Sequence, residues 1–127
     1  MFRYIFWKTE LMTLFYLEEY GNFECDLFKV EELKQDEFDA AIESLISKSI
    51  VYRINNSEVK IDKMFSALVS SIVNAEYIIN QKNIVLAVNN IVIVLEEDNR
   101  NKHIVKLIPY KSLDDAIEAY GFDIMMN

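Results

Sequence analysis

The stretch that most constrains this chain runs from Asn74 to Ile108 and reads NAEYIINQKNIVLAVNNIVIVLEEDNRNKHIVKLI. Four β-prone runs lie in it: Tyr77–Ile79, Ile84–Val88, Ile91–Leu95 and Ile104–Ile108. The polar joints Gln81-Lys82-Asn83, Asn89-Asn90 and Glu96–Lys102 separate them. Runs of that length, split by turn-formers, predict antiparallel strands joined by hairpins. Asparagine tolerates positive φ, so Asn89-Asn90 suits a type I′ turn. Ile91-Val92-Ile93-Val94-Leu95 has no polar alternation, so both faces of that strand need cover. Tyr77–Ile79 could also prolong a preceding helix, but aromatic and β-branched side chains favour a strand.

What precedes the sheet reads as mostly helical. Phe2–Trp7 is a short first strand; Thr9 caps a helix from Glu10 to about Tyr20, and Gly21 stands at its left-handed C′ position. A short helix is expected around Leu27–Lys34. A longer one follows from Glu37 to Lys48, capped by Asp36, with Phe38, Ala41, Ile42, Leu45 and Ile46 as its apolar stripe. Ile50–Ile54 and Glu58–Ile61 form a hairpin about Asn55-Asn56-Ser57, and Asp62 caps a helix running to about Asn74. Helix, short helix, helix and hairpin is the order of a winged helix–turn–helix. After the sheet, Pro109 ends the last strand. Ser112 caps a closing helix with Leu113, Ala116, Ile117 and Tyr120 inward, and Gly121 ends it. The apolar tail Phe122–Asn127 is expected to pack on the body or on a partner.

Helices followed by strands predict an α+β fold: a winged-helix-like half, then an antiparallel sheet of about four strands and a C-terminal helix. At 127 residues the chain reads as one domain, 1–127, with halves 1–62 and 63–127. Two Gly and one Pro leave no room for a flexible linker. No apolar run reaches the roughly 18–20 residues of a membrane helix. Met1-Phe2-Arg3-Tyr4 lacks the pattern of a signal peptide, and a single Cys excludes an internal disulfide. These features predict a cytoplasmic protein with no membrane insertion.

The net charge of −8, with basic residues scattered, opposes nucleic acid and anionic lipid. The expected third helix makes this sharper, since Asp36–Lys48 carries Asp36, Glu37, Asp39 and Glu43 against Lys48. No nucleic-acid partner is therefore expected. Catalysis has little to build on. His103 is the single histidine, which removes His-pair metal sites and triads with a spare base. Cys25 stands between Glu24 and Asp26, which would raise a thiol pKa rather than activate it. Glu96–Asn101 lacks the central Gly of a calcium loop and inserts Arg100. A glycine-rich phosphate loop cannot be made from two glycines. No catalytic, metal or cofactor residues are assigned, and no enzyme is expected.

Three stretches together resemble the EspG-like specificity chaperones of type VII secretion, in the form of their shorter Firmicutes relatives. They are TELMTLFYLEEYG, LISKSIVYRINNSEVKIDKMFSALVSSIVNAEYII and IVIVLEEDNRNKHIVKLIPYKSLDDAIEAYGF. The resemblance implies a cytosolic, non-enzymatic, cofactor-free adaptor that holds helical-hairpin secretion substrates. It also implies two similar halves meeting at a central sheet, whereas this chain has length for one. A homodimer with a twin chain supplying the second half is therefore expected, with Ile91, Ile93 and Leu95 at the interface. The polar loop residues Glu97, Asp98, Asn99, Arg100 and Asn101 are expected to meet the protein partner. The other readings are a winged-helix DNA-binding regulator and an acidic immunity or antitoxin-like protein.

Overall fold

The structure, a computed structural model, describes residues 3–120; Gly121 and the tail Phe122–Asn127 lie outside them. The elements in order are β1 (Tyr4–Trp7), α1 (Lys8–Leu17), β2 (Glu24–Cys25), β3 (Phe28–Lys29), a 3-10 turn (Val30–Glu32), α2 (Gln35–Ser47), β4 (Val51–Arg53), β5 (Val59–Ile61), α3 (Lys63–Val73), β6 (Tyr77–Gln81), β7 (Ile84–Val88), β8 (Val92–Glu97), β9 (Ile104–Tyr110) and α4 (Leu113–Tyr120). The fold is α+β. Its centre is a five-stranded antiparallel sheet in the order β1-β9-β8-β7-β6, and β2-β3 and β4-β5 are separate small hairpins. The four expected strands are all present, and Tyr77–Gln81 is a strand, not a helical extension. The fifth is β1, which pairs with β9 from Tyr4–Leu107 to Trp7–Ile104.

Both faces of the sheet are apolar and both are covered within the chain. On one, Phe6, Val85, Ala87, Ile93, Leu95, Val105 and Leu107 pack with α1 (Leu11, Leu14, Phe15), α3 (Phe65, Leu68, Val69, Ile72) and Leu45 of α2. On the other, Leu86, Val88, Val92, Val94, Ile108 and Tyr110 lie under α4, which contributes Ala116, Leu113, Ile117 and Tyr120. The cover that both faces of β8 need comes from helices of the same chain: α4, eight residues long, covers the centre of the second face. Its start is as expected, with the Asp115 amide donating to Ser112 Oγ at 3.2 Å.

Several local expectations are overturned, each for a physical reason. The short helix at Leu27–Lys34 is instead a hairpin strand and one 3-10 turn, with Leu27, Phe28 and Val30 buried in the main core. Helix α1 begins before Thr9, because the Glu10 carboxylate accepts the Trp7 amide at 2.8 Å and fixes the first turn there. Helix α2 begins before Asp36 in the same way, the Lys34 amide donating to Glu37. Gly21 is not the C′ residue of α1. Glu19 takes the left-handed conformation (φ 69°), and the Glu19 and Tyr20 amides donate back to the Tyr16 and Phe15 carbonyls. Helix α2 ends alike on Ser49 (φ 62°), with Ser49 and Ile50 donating to Ile46 and Leu45. Both are six-residue αL closures made without glycine.

Pro109 does not end the last strand but sits inside β9, opposite Ile93. In the register of β9 it points toward β1, beyond Tyr4, the last described residue paired there. Its missing N–H thus removes no described ladder bond, as proline in a sheet requires.

The expected type I′ turn at Asn89-Asn90 is also absent. Neither residue has positive φ, and the linker from Val88 to Val92 is three residues long. Asn89 serves a different end. Its Oδ1 accepts the Glu76 amide at 3.0 Å and its Nδ2 donates to the Ser71 carbonyl at 2.8 Å, so one side chain ties the β7–β8 turn to α3. Replacing Asn89 by alanine takes the donor from the Ser71 carbonyl, while the Glu76 amide keeps the Val88 carbonyl at 3.0 Å, and a stability loss of about 1 kcal/mol is expected. A urea unfolding midpoint unchanged from wild type would show that water satisfies the carbonyl.

Candidate functional site

The five residues expected to meet a partner occupy a folded turn. Asp98 Oδ2 accepts the amides of Arg100 and Asn101, both at 2.9 Å, and Asn101 Oδ1 accepts the His103 amide at 2.9 Å. Asn83 Nδ2 donates to the Glu97 carbonyl at 3.1 Å and to Asn99 Oδ1 at 3.3 Å. Glu97 pairs with Lys8 at 2.6 Å, which fastens β8 to the first turn of α1. Glu97, Asp98 and Asn101 thus spend their side chains inside the molecule. Asn99 and Arg100 are exposed, and the Arg100 guanidinium has no partner among the described residues. Removing Asp98 would release two amides, so single substitutions at Arg100 probe this surface better than a deletion does.

The three residues expected at a dimer interface fall in two places. Ile91 is 38% exposed beside the Asn89-Asn90 turn, whereas Ile93 and Leu95 are 0% exposed. Their side chains lie in the core formed with α1 and α3, so they are not surface residues of the described chain.

The structure adds a feature that sequence reading did not single out. In β1, Tyr4 and Phe6 turn into the main core, while Ile5 (56% exposed) and Trp7 (46% exposed) share the opposite face. Trp7 stands directly across from half-buried Ile104, and Ile5 across from Lys106. Ile104 also closes the loop: its carbonyl accepts the Asp98 amide at 2.9 Å, and its amide donates to Asn101. Apolar Ile5, Trp7 and Ile104 therefore form one surface with the root of the Asp98–His103 turn. Exposed Arg100, Lys102 and His103 lie along that turn, an uncommon cluster in a chain of net charge −8.

Other surfaces carry weaker signals. Two clefts of about 330 and 340 Å³ flank Phe38, one lined by Tyr16, Val30, Leu33 and Lys34, the other by Leu17, Ile42, Glu43 and Val59. Neither gathers a nucleophile with a base. The Cys25 thiol is pushed up by burial, offset in part by the Leu27 and Phe28 amides, so it is poorly ionised. Burial, with Glu96 and Tyr110 adjacent, raises the Tyr120 phenol, whose hydroxyl donates to Glu96 Oε1 at 3.1 Å. It anchors α4 to β8. Among the described residues no group of three or more His, Cys, Asp or Glu could hold a metal ion. No described helix is long and apolar enough to cross a membrane. Compared with known proteins, the chain matches no family model, no curated protein and no solved structure.

Proposed function

We propose that this chain is a non-enzymatic, cytoplasmic protein-binding adaptor of the EspG-like, type VII secretion kind, and that it holds a helical-hairpin substrate by its apolar tip. The observation that carries the reading is the exposed Trp7, set beside Ile5 and Ile104 at the root of the Arg100 turn. Tryptophan and arginine are the residue types on which protein interfaces concentrate their binding energy. An apolar tip flanked by carboxylates suits that surface in shape and charge. Helix α2 and the β4–β5 hairpin, clipped together by the Arg53–Glu43 ion pair, serve in this reading as a winged-helix-like scaffold. Asp36, Asp39 and Glu43 are exposed on α2, which favours a protein role for it over a phosphate-backbone one.

The test is affinity capture from host lysate by the wild-type chain, Trp7→Ala and Arg100→Ala, followed by titration of the captured hairpin protein. Truncating Trp7 is expected to weaken binding about 30-fold or more, in line with loss of an interface anchor worth about 2 kcal/mol. Arg100→Ala is expected to weaken it less and to reduce its salt dependence. The folded spectrum should be unchanged in both. A hairpin protein bound equally by all three chains would place the site elsewhere, and capture of no such protein would remove the secretion reading.

A further inference from the structure

The two edges of the central sheet are treated differently. At the β1 edge, the register directs the main-chain groups of Tyr4 and Phe6 to β9, and the ladder continues in the Lys8 amide donating to the His103 carbonyl at 2.8 Å. Ile5 and Trp7 consequently turn theirs outward. One group of each is engaged: the Trp7 amide by Glu10 Oε1, and the Ile5 carbonyl by Lys48 Nζ at 3.4 Å. These side chains obstruct a further strand at this edge, a usual protection of sheet edges.

The β6 edge has no such obstruction. The Glu97 amide donates to the Asn83 carbonyl at 2.8 Å, which fixes the odd-numbered residues of β7 as those bonded to β8. Antiparallel alternation then gives Ile84, Leu86 and Val88 to β6, where they meet Gln81, Ile79 and Tyr77. The main-chain groups of Ile78 and Asn80 face outward, and no hydrogen bond from the described residues reaches them. Tyr77 is 48% exposed on this strand.

The sequence of that edge is complementary to itself. Folded antiparallel about Ile79, the strand Tyr77–Gln81 sets Ile79 against Ile79, Ile78 against Asn80 and Tyr77 against Gln81, and it brings Glu76, just before the strand, to the same end as Lys82 of the twin, which opens the β6–β7 turn with φ 52°. The outward-facing residues 78 and 80 become the hydrogen-bonded pairs on either side of the axis, so the main-chain register and the twofold agree. Glu76 and Lys82 are exposed, and neither has an ion-pair partner among the described residues. A twofold would give each one, twice over.

We propose that β6 is the surface by which two copies of this chain join, each adding five strands to one continuous antiparallel sheet with its twofold at Ile79. An isologous contact of this kind closes on itself and does not propagate. It lies at the opposite edge of the sheet from Trp7, so it stands or falls independently of the adaptor reading.

The experiment is sedimentation equilibrium of the full chain over nanomolar to high micromolar concentration. A concentration-dependent rise from 14.9 kDa toward twice that mass is expected. Glu76→Lys and Lys82→Glu each bring like charges together at the two ends of the strand pair. Each is expected to weaken the dimer about five- to tenfold, from cross-strand charge pairs of known scale. The double variant, which restores opposite charges, should recover wild-type association. Asn80→Pro removes an outward amide that the monomer does not use and should leave a folded monomer. A mass near 14.9 kDa at every concentration overturns the proposal. So does a dimer indifferent to both charge reversals, and so do reversals whose effects the double variant fails to rescue.

Discussion

Glu10→Ala is expected to cost about 2–4 kcal/mol of stability, the scale of breaking a buried ion pair from one side. The carboxylate is 1% exposed, and both of its oxygens are used. Oε1 accepts the Trp7 amide and Lys48 Nζ, both at 2.8 Å, and Oε2 accepts Ser44 Oγ at 2.6 Å. One side chain therefore starts α1, pins it to the end of α2, and helps obstruct the β1 edge. Alanine would leave a partly buried amide and hydroxyl without an acceptor, and a cation beside the Phe6 ring, 5.7 Å from its centroid. Lys48 is partly exposed and can turn to water, which argues for the lower half of that range. Urea unfolding should show a lower midpoint at unchanged slope. The variant also releases the outward Trp7 amide at the β1 edge. A loss under about 1 kcal/mol would mean that solvent reaches the site as readily as the carboxylate does.

Glu10 also marks a limit of reading this sequence. In Thr9-Glu10-Leu11 it looks like an ordinary first-turn acid, since nothing local says that Ser44 and Lys48 will arrive from 34 and 38 residues away. The same limit hid which way β1 faces, although the strand itself is legible in Phe2–Trp7. Tyr4-Ile5-Phe6-Trp7 is apolar on both alternate sets, so alternation could not say that Tyr4 and Phe6 go in while Ile5 and Trp7 stay out. Only pairing with β9, about a hundred residues on, decides it. Some local signals held: the runs from Ile84 and Ile104 are strands, Asp62 Oδ2 accepts the Met64 amide, and Ser112 caps α4.

Rules that tie a geometry to one residue type served less well. Glu19, not Gly21, adopts the left-handed conformation that ends α1, and Ser49 does so after α2, because the surrounding hydrogen bonds outweigh a cost of roughly 1–2 kcal/mol for a side chain there. Proline predicts a strand end at Pro109, yet β9 runs through it, because no described ladder bond needs its missing N–H. The polarity that marks Glu97–Asn101 in the sequence serves the turn's own amides at Asp98 and Asn101. Arg100 alone of the five keeps its charge unpaired among the described residues.

Ile93→Ala is expected to lower stability by about 2–5 kcal/mol, the cost of emptying a filled core position. Ile93 is 0% exposed, pairs with Ala87 and Pro109 across the ladder, and faces the α1–α3 side of the sheet. A mid-range loss of about 3 kcal/mol would lower Tm by roughly 10 °C in a domain of this size. What distinguishes this from an interface is its dependence on concentration. A residue buried by its own chain loses the same free energy at any protein concentration. One buried by a twin loses it only as the dimer forms, and its Tm deficit would change with dilution. Ile91→Ala provides the contrast, since Ile91 is half-exposed beside a turn and its truncation should stay within about 0.5 kcal/mol. Thermal unfolding of both variants at two concentrations a hundredfold apart separates the alternatives. A deficit for Ile93→Ala that vanishes on dilution would return Ile93 to an interface and show that α1 and α3 do not cover it in solution. A deficit that holds constant assigns it to the core, and leaves β6 as the edge through which two sheets can still meet.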